Sequence, residues 1–236
     1  RLMIDTIDVA AAEVSLIRIG GKTGTAKTVL VNAVDQGVDL EGHANHRGSS
    51  FGRRVSGVPT QIDFEHALGV DLLRKRQAWP DQTLVVEDES RRIGACAVPQ
   101  DFFDKMAAAN LAVVEMPLDF RVQRILQEYV VDMTAEFQDA HTEDGWDLFV
   151  DYLTQSLFRV QKRLGHENYS HIAGLMDAAL EKQLSQGDVS DHEAWITELL
   201  ARYYDPMCDF QLGKQEDKIA FRGSYDDVLD WVRDKV

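Results

Sequence analysis

The sequence predicts an α/β fold in which a parallel sheet with flanking helices is followed by a helical C-terminal extension. Three observations carry this prediction. A glycine-rich segment at residues 20–28 stands between an apolar segment and a helical pattern. Short apolar segments and helical patterns then alternate up to about residue 118, as expected when helices cover both faces of a parallel sheet. From residue 119 onward the pattern is mainly helical.

The glycine-rich segment has the layout of a phosphate-binding loop of the Walker A type. The pattern G-x-x-x-x-G-K-[ST] starts at Gly21 and closes on Lys27 and Thr28, with Ala26 where the second glycine is expected. Backbone amides would face phosphate oxygens, Lys27 would add a positive charge, and Thr28 is placed to ligand Mg²⁺. The predicted phosphate-binding residues are Gly21, Lys22, Thr23, Gly24, Thr25, Ala26, Lys27 and Thr28. With this loop the predicted sheet is P-loop NTPase-like; the alternative is a β-to-α turn without a ligand.

The elements of the first part follow from apolar runs and turn residues. Residues 1–12 are predicted to end a linker helix, and residues 13–118 to form the P-loop core. Within that core the predicted strands are 14–19, 37–41, 83–87 and 111–116. The first predicted helix follows the phosphate-binding loop and ends at about residue 34, and two more cover residues 64–76 and 99–109. The polar, glycine-rich and arginine-rich residues 42–60 predict a long loop, and long loops in compact domains are often functional.

Residues 119–236 are predicted to form a mainly helical part with a late strand and a final helix. The helical candidates are 119–139, 145–164, 168–186 and 191–204, and the strand is 218–222. Ser224 is a plausible N-cap of the last helix, with Asp226 and Asp227 in its first turn.

The charge of the chain is uneven. The net charge is −15, which argues against nucleic acid as a partner, but residues 1–124 hold 15 Lys and Arg against 17 Asp and Glu. Residues 125–236 hold 10 against 23, so nearly all the acidic excess lies there. Arginines cluster in the first part, which makes a locally basic face conceivable on an acidic protein.

Cellular location is inferred from three features. Cys96 and Cys208 lie far apart and are interpreted as two buried thiols in a reducing compartment. No apolar run approaches the roughly 20 residues of a membrane span. The first residues resemble a helix fragment rather than a signal peptide. We therefore expect a cytoplasmic protein with no membrane partner.

Acidic residues after the strand at 83–87 fit the second half of a nucleotide site. Glu87 or Asp88 would reach the end of the sheet near the phosphate-binding loop and hold Mg²⁺ or a water on it. Thr28, Glu87 and Asp88 are thus the candidate metal ligands, although acids cap many strands that bind nothing.

Candidate RNA or substrate contacts lie in the long loop and after two later strands. They are His46, Arg47, Ser49, Ser50, Arg53, Arg54, Arg91, Arg92, Arg121 and Arg124. Arginines after a late strand often close over phosphates in small P-loop kinases, which singles out Arg121 and Arg124. These residues could instead have structural roles, as mutual ion pairs, as part of a solvated helix face or as ordinary loop residues. A metal site at His43 and His46 is a weaker alternative.

Together these segments resemble the C-terminal P-loop domain of tRNA 2-selenouridine synthase. The resemblance runs in order over essentially the whole chain and rests on these residues: Gly20-Gly21, Thr23-Gly24, Lys27-Thr28, Asp39–Gly42, Ala44–Gly52, Glu87–Gly94, Tyr203–Met207 and Phe221–Gly223. It implies replacement of sulfur by selenium at the wobble 2-thiouridine of tRNA. Selenophosphate would donate the selenium, and geranyl diphosphate would form an S-geranylated intermediate.

The resemblance also sets limits. The family's reactive cysteine belongs to a rhodanese-like domain, normally in the same chain and expected to be absent here; Cys96 and Cys208 match no catalytic position that can be placed. Ala26 departs from the family's usual glycine, and its methyl group would crowd the loop where phosphate approaches. The sequence therefore predicts a tRNA-modifying transferase domain that binds tRNA and a diphosphate compound, with catalytic residues unassigned. A small-molecule kinase or NTPase and a non-catalytic RNA-binding module are the alternatives.

Overall fold

The structure, a computed structural model, describes residues 2–236 and is built around a five-stranded parallel sheet. Its strands are β1 (Ser15–Gly21), β2 (Gly37–Val38), β3 (Thr83–Glu87), β6 (Asn110–Val114) and β7 (Ile219–Gly223), while β4 (Arg92–Ile93) and β5 (Cys96–Ala97) form a separate antiparallel hairpin. The strands of the sheet lie in the order β2-β3-β1-β6-β7. The α/β class with flanking helices is confirmed.

Thirteen α-helices account for most of the remaining described chain. They are α1 (Leu2–Glu13), α2 (Lys27–Asn32), α3 (Leu40–His43), α4 (Gln61–Ala78), α5 (Gln100–Ala108), α6 (Leu118–Leu126), α7 (Asp132–Ala140), α8 (Gly145–Phe158), α9 (Gln161–Leu164), α10 (His166–Gln186), α11 (His192–Leu199), α12 (Asp205–Gly213) and α13 (Tyr225–Arg233). A short 3₁₀ turn, Glu216–Lys218, precedes β7. None of the helices within residues 2–236 combines the length and the apolar character needed to cross a membrane.

Strand β1 is central and presents alternate side chains to two cores. Leu16 packs with Phe64 and Leu68 of α4 and Phe102 of α5 on one face. Its neighbour Ile17 belongs to the other face, with residues of α2 and α13. This alternation is the period-two geometry of a strand buried on both sides. The parallel pairing of β1 with β3 places their carboxyl ends side by side, because Ile19 is in register with Glu87.

The helices from α6 to α12, here called the helical half, have a core of their own, into which the long loop of residues 42–60 inserts. Phe51 of the loop is buried there and stacks on Trp195 of α11, with ring centroids 5.9 Å apart and an interplanar angle of 21°. The loop is therefore not a free surface segment. It joins the sheet half to the helical half.

Two π-helical turns interrupt the long helices. Gln127–Val131 links α6 to α7, and Leu200–Tyr204 links α11 to α12. The sequence predicted regular helices over 119–139 and 191–204, and the continuation into α12 was missed. A π turn inserts one extra residue into the helical repeat, so the side-chain pattern alone does not show it. These turns carry Tyr129 and Tyr204, which reappear at the site below.

Residues 39–41 differ from the prediction of a strand. Strand β2 ends at Val38, and Asp39 caps α3 by accepting a hydrogen bond from the amide of Gly42 at 2.6 Å. The buried carboxylate of Glu87 accepts the amide of Leu40 at 3.0 Å. The Leu40 amide is thereby taken from strand pairing, and the cap at Asp39 starts a helix in place of the end of the strand. The β4–β5 hairpin was also missed, whereas the N-cap Ser224 is confirmed and forms a capping box with Asp227.

The helical core contains a neutral histidine, from which we predict a pH-dependent stability. His192 Nε2 donates to Gln183 Oε1 at 2.9 Å, and its Nδ1 accepts from Trp195 Nε1 at 2.8 Å. Burial lowers the pKa of His192 to about 4. Because the folded pKa lies below the unfolded one, stability is present near neutral pH and is lost as the pH falls from about 6.5 toward 4.

Between pH 7 and pH 5 the free energy of unfolding should fall by about 2 kcal/mol more in the wild type than in His192→Gln. Urea denaturation at the two pH values measures this difference, and all other titrating groups are common to both proteins. Equal pH slopes would contradict the assignment of a neutral His192.

Candidate functional site

A cleft of about 1260 Å³ lies between the phosphate-binding loop, the long loop and the helical half. Of the predicted site residues, Gly21, Thr23, Gly24, Thr25, Ala26, Lys27, Thr28, Arg47, Ser49, Ser50, Arg54, Asp88, Arg91 and Arg124 line it. Lys22, His46, Arg53, Glu87, Arg92 and Arg121 do not appear on its walls. The fold thus brings most of these dispersed residues to one place.

The predicted phosphate-binding loop, Gly21–Thr28, runs from the end of β1 to the start of α2. Gly21 and Gly24 have φ angles of 142° and 84°, and Ala26 adopts φ 68° and ψ 29°. The loop therefore keeps a glycine-like backbone at Ala26 in spite of the methyl group. The ammonium of Lys27 folds back over the loop and donates to the carbonyls of Gly21 at 3.1 Å and Lys22 at 3.3 Å. This leaves Lys27 at the cleft with only carbonyl partners within hydrogen-bond distance.

The carboxyl group that faces Thr28 comes from α3. Thr28 Oγ1 donates to Glu41 Oε2 at 3.0 Å. Burial, and then the charge of Glu89, raises the pKa of Glu41 to about 8, while Lys27 acts in the opposite direction. Burial likewise raises the pKa of Glu89. Both carboxyls lie against Gly48, where an added Cβ would be 2.5 Å from Glu41 Oε1 and 2.9 Å from Glu89 Oε1.

Glu87 and Asp88 have other partners. Glu87 is fully buried at the end of β3, binds the Leu40 amide through Oε2, and leaves Oε1 without a partner. Asp88 lines the cleft, but its Oδ1 accepts from Arg18 Nη1 at 2.6 Å. Their assignment as metal ligands stays a prediction. Within residues 2–236 the side chains do not form a three-membered cluster of His, Cys, Asp or Glu suited to a metal ion.

Tyrosines hold the long loop on the cleft wall. Ser49 Oγ lies 3.3 Å from the hydroxyl of Tyr129, and Ser50 Oγ lies 2.8 Å from that of Tyr204. Both tyrosines sit in the π-helical turns. The hydroxyl of Tyr152 also donates to the carbonyl of Phe51. Three hydroxyls from the helical half thereby fix the loop.

Arg47 is positioned by this arrangement. Its guanidinium lies over the Tyr129 ring, 5.2 Å from the centroid, and its Nη2 is 3.9 Å from Glu136. Its buried Nη1 has no hydrogen-bond partner. A buried unpaired donor is costly, so this atom suits an anion that enters the cleft.

The other predicted cations are distributed unevenly. Arg121 is buried and makes a bidentate ion pair with Asp205, both distances being 2.7 Å. Arg124 pairs with Glu128, and Arg54 lies 3.4 Å from Glu136. Arg91 is exposed on the cleft, whereas Arg92 lies in β4 outside it.

His46 and Arg53 lie just outside the walls of the cleft. They face each other across an isolated antiparallel bridge. The His46 ring packs against Gly94, where an added Cβ would be 2.6 Å from Cδ2. Burial, with the charges of Arg159 and Arg53, lowers the pKa of His46, so a positive field surrounds it.

Comparison with known proteins gives the family of the chain. Residues 14–236 match the family model described as the tRNA 2-selenouridine synthase AAA domain. The chain belongs to this family.

Three relatives, each named tRNA 2-selenouridine synthase, are 44–46% identical to this chain. The protein of Pseudomonas fluorescens is 46% identical over 233 residues, 99% of this chain and 64% of the relative. That of Bordetella petrii is 46% identical over 98% of this chain and 62% of the relative. That of Photobacterium profundum is 44% identical over 100% of this chain and 64% of the relative. The chain thus spans less than two thirds of the length of these relatives.

Several wall residues were missed in the sequence. Glu41 and Glu89 lie in stretches that carried the family resemblance but were given no role. Arg159, Lys162, Arg163 and Tyr203 line the cleft from the helical half. A signal was present: residues 152–166 contain no Asp or Glu although residues 125–236 are strongly acidic.

The backbone of Ala26 leads to a stability prediction. A left-handed conformation costs an L-residue roughly 1–2 kcal/mol, and glycine avoids most of this cost. Ala26→Gly should therefore raise the free energy of unfolding by about 1 kcal/mol in a denaturant titration.

Ala33 at the other end of α2 is the matched control. It has φ −86°, where glycine only loosens the unfolded chain. Ala33→Gly should not stabilise the protein. If Ala26→Gly has no stabilising effect either, the left-handed backbone at Ala26 is refuted.

Proposed function

We propose that this chain is the P-loop domain of a tRNA 2-selenouridine synthase and that its cleft binds tRNA together with a diphosphate compound, geranyl diphosphate. In the full enzyme these ligands would serve sulfur-to-selenium exchange at the wobble 2-thiouridine, with selenophosphate as the selenium donor and a rhodanese-like domain as the partner. A cytoplasmic location is part of this proposal. One observation carries it: the cations on the cleft walls that have no carboxylate partner.

The cleft gathers several cations that make no ion pair. The chain as a whole is acidic, with 40 acidic against 25 basic residues. In the part of the chain that the structure describes, five cleft cations nevertheless make no ion pair within 4.0 Å: Lys27, Arg91, Arg159, Lys162 and Arg163. Cations left unpaired in one cleft suit ligands rich in phosphate.

The wall composition supports a prenyl diphosphate in particular. Lys27 and the amides of the phosphate-binding loop can take the diphosphate. Apolar side chains on the same walls, Met106, Val160, Met207 and Leu212, can take a hydrocarbon chain. A nucleotide would use the same loop, which is why a kinase or NTPase activity is tested beside this proposal.

Mg²⁺ would fit beside the diphosphate at Thr28. The Thr28 hydroxyl and the carboxyls of Glu41 and Glu89 are the hard oxygen donors that Mg²⁺ prefers. They suit the ion better than Glu87 and Asp88, whose carboxyls are engaged by Leu40 and Arg18. When bound, the ion would neutralise charge on the diphosphate; the protein residues orient it.

Replacing Lys27 should weaken binding of the diphosphate. Lys27→Ala removes a charged donor worth about 1.5–3 kcal/mol, so the Kd for geranyl diphosphate should rise by tenfold or more in calorimetry. Lys22→Ala is the control, because that ammonium is 2.9 Å from Asp209 and is already paired. Equal affinities of wild type and Lys27→Ala would contradict the phosphate role, and tight ATP binding with hydrolysis would favour the NTPase alternative.

Mg²⁺ should strengthen diphosphate binding more at high pH. Because the pKa of Glu41 is raised to about 8, the carboxyl is largely protonated at pH 6.5 and must lose its proton to ligate the ion. The gain in affinity from Mg²⁺ should therefore be greater at pH 8.5 than at pH 6.5, measured by calorimetry with geranyl diphosphate.

Thr28→Val serves as the matched variant, since it keeps the shape of the side chain and removes its oxygen. It should reduce the gain from Mg²⁺ at both pH values. A gain from Mg²⁺ that is independent of pH and unchanged in Thr28→Val would exclude this site.

A further inference from the structure

Three cations crowd the corner where α8 meets α9. We call Arg159, Lys162 and Arg163 the basic corner. Arg159 Nη2 donates to the Ser50 carbonyl at 2.8 Å and to Ser156 Oγ at 2.7 Å, and Arg163 Nη1 donates to the Tyr203 hydroxyl at 3.2 Å. All three are exposed on the cleft wall. Their neutral partners hold two of them in place and leave their charge uncompensated.

Further positive groups face the basic corner from the long loop. Arg53 is close enough that its charge, after burial, lowers the pKa of Arg159. Burial and then the charges of Arg159 and Arg53 lower the pKa of His46. Glu136 is an acidic group on this side, and it is shared by Arg54 at 3.4 Å and Arg47 at 3.9 Å. A single carboxylate shared between Arg47 and Arg54 leaves this end of the cleft positive.

The cleft is larger than a diphosphate compound requires. Small-molecule sites measure about 300–1000 Å³, whereas this cleft measures about 1260 Å³. The basic corner and the phosphate-binding loop line the same cleft, so a ligand on the loop leaves room for a second one.

Tyr203 adds an aromatic surface beside the basic corner. Its ring is half-buried on the cleft wall and stands edge-on to Tyr204, with centroids 4.8 Å apart. The hydrogen bond from Arg163 fixes the hydroxyl end of the Tyr203 side chain. Cations that follow a phosphate backbone next to an aromatic ring that stacks bases are the pattern of single-stranded nucleic acid binding.

We propose that the basic corner and Tyr203 hold the single-stranded anticodon-loop segment of the tRNA, with its phosphates on Arg159, Lys162 and Arg163 and a base stacked on Tyr203. This inference rests on the proposed function, because it supplies the means by which the wobble nucleoside reaches the phosphate-binding loop. It moves the main RNA contact from the sheet half of the chain to the helical half.

The test is a fluorescence anisotropy titration of this chain with a tRNA that carries a wobble 2-thiouridine, repeated over a salt series. Lys162→Ala with Arg163→Ala should weaken binding by about tenfold or more and flatten the salt slope by about 1.4, as expected for two lost single-strand phosphate contacts. Arg74→Ala with Lys235→Ala is the control, since it removes the same charge from exposed residues outside the cleft. The control should change affinity by less than about twofold.

Tyr203 gives an independent arm that leaves the charge unchanged. Tyr203→Leu should weaken tRNA binding at least about fivefold, while Tyr203→Phe keeps the ring and should restore most of the affinity. If both Tyr203 variants and the basic-corner variant match the control while the wild type binds tRNA, the inference is overturned and the proposed function stands. If the wild type does not bind tRNA at all, both are overturned.

Discussion

The ion pair between Arg121 and Asp205 is the contact on which the cleft depends. Arg121, 4% exposed, also donates to the Thr23 carbonyl at 3.3 Å, so one guanidinium joins α6, α12 and the phosphate-binding loop. Gly24 allows this approach, since an added Cβ would lie 3.0 Å from the Arg121 carbonyl oxygen. Removing one partner of a buried pair typically costs about 3–5 kcal/mol. The pair therefore sets how the helical half sits over the loop, and Arg121 acts through position rather than by closing over phosphate.

The long loop depends on the same meeting of the two halves. Its serines contact Tyr129 and Tyr204, which both stand in π-helical turns of the helical half. A π turn shifts the register of the side chains around a helix by one residue. Here the two shifts bring two hydroxyls to consecutive serines, and Phe51 is anchored against Trp195. Arg47 is thereby held at the cleft wall with a donor unpaired, which connects an unusual helix geometry to the shape of the cleft.

Charged side chains are arranged around the cleft that these contacts form. A net charge of −15 would keep a polyanion away from most of the surface. Within residues 2–236, five cations without an ion pair line one cleft, so positive charge is available to a phosphate ligand there. The carboxyls of Glu41 and Glu89 lie at the Thr28 end of the cleft, where a cation would accompany the phosphates. This separation of sites accounts for how an acidic domain can belong to a family whose members are named for tRNA modification.

The sequence by itself determined the local elements: apolar runs predicted all five strands of the sheet near their observed places, the spacing from Gly21 to Thr28 predicted a glycine-rich turn between β1 and α2, and Ser224 predicted the last helix. These features depend on residues close together in the chain. Only the tertiary structure decided that Glu41 faces Thr28, that Asp88 pairs with Arg18, that Arg121 pairs with Asp205, and that the basic corner joins the cleft. The partners in these three pairs lie between 13 and 84 residues apart, and an ion pair or a wall of a cleft forms only where packing brings such residues within a few ångströms.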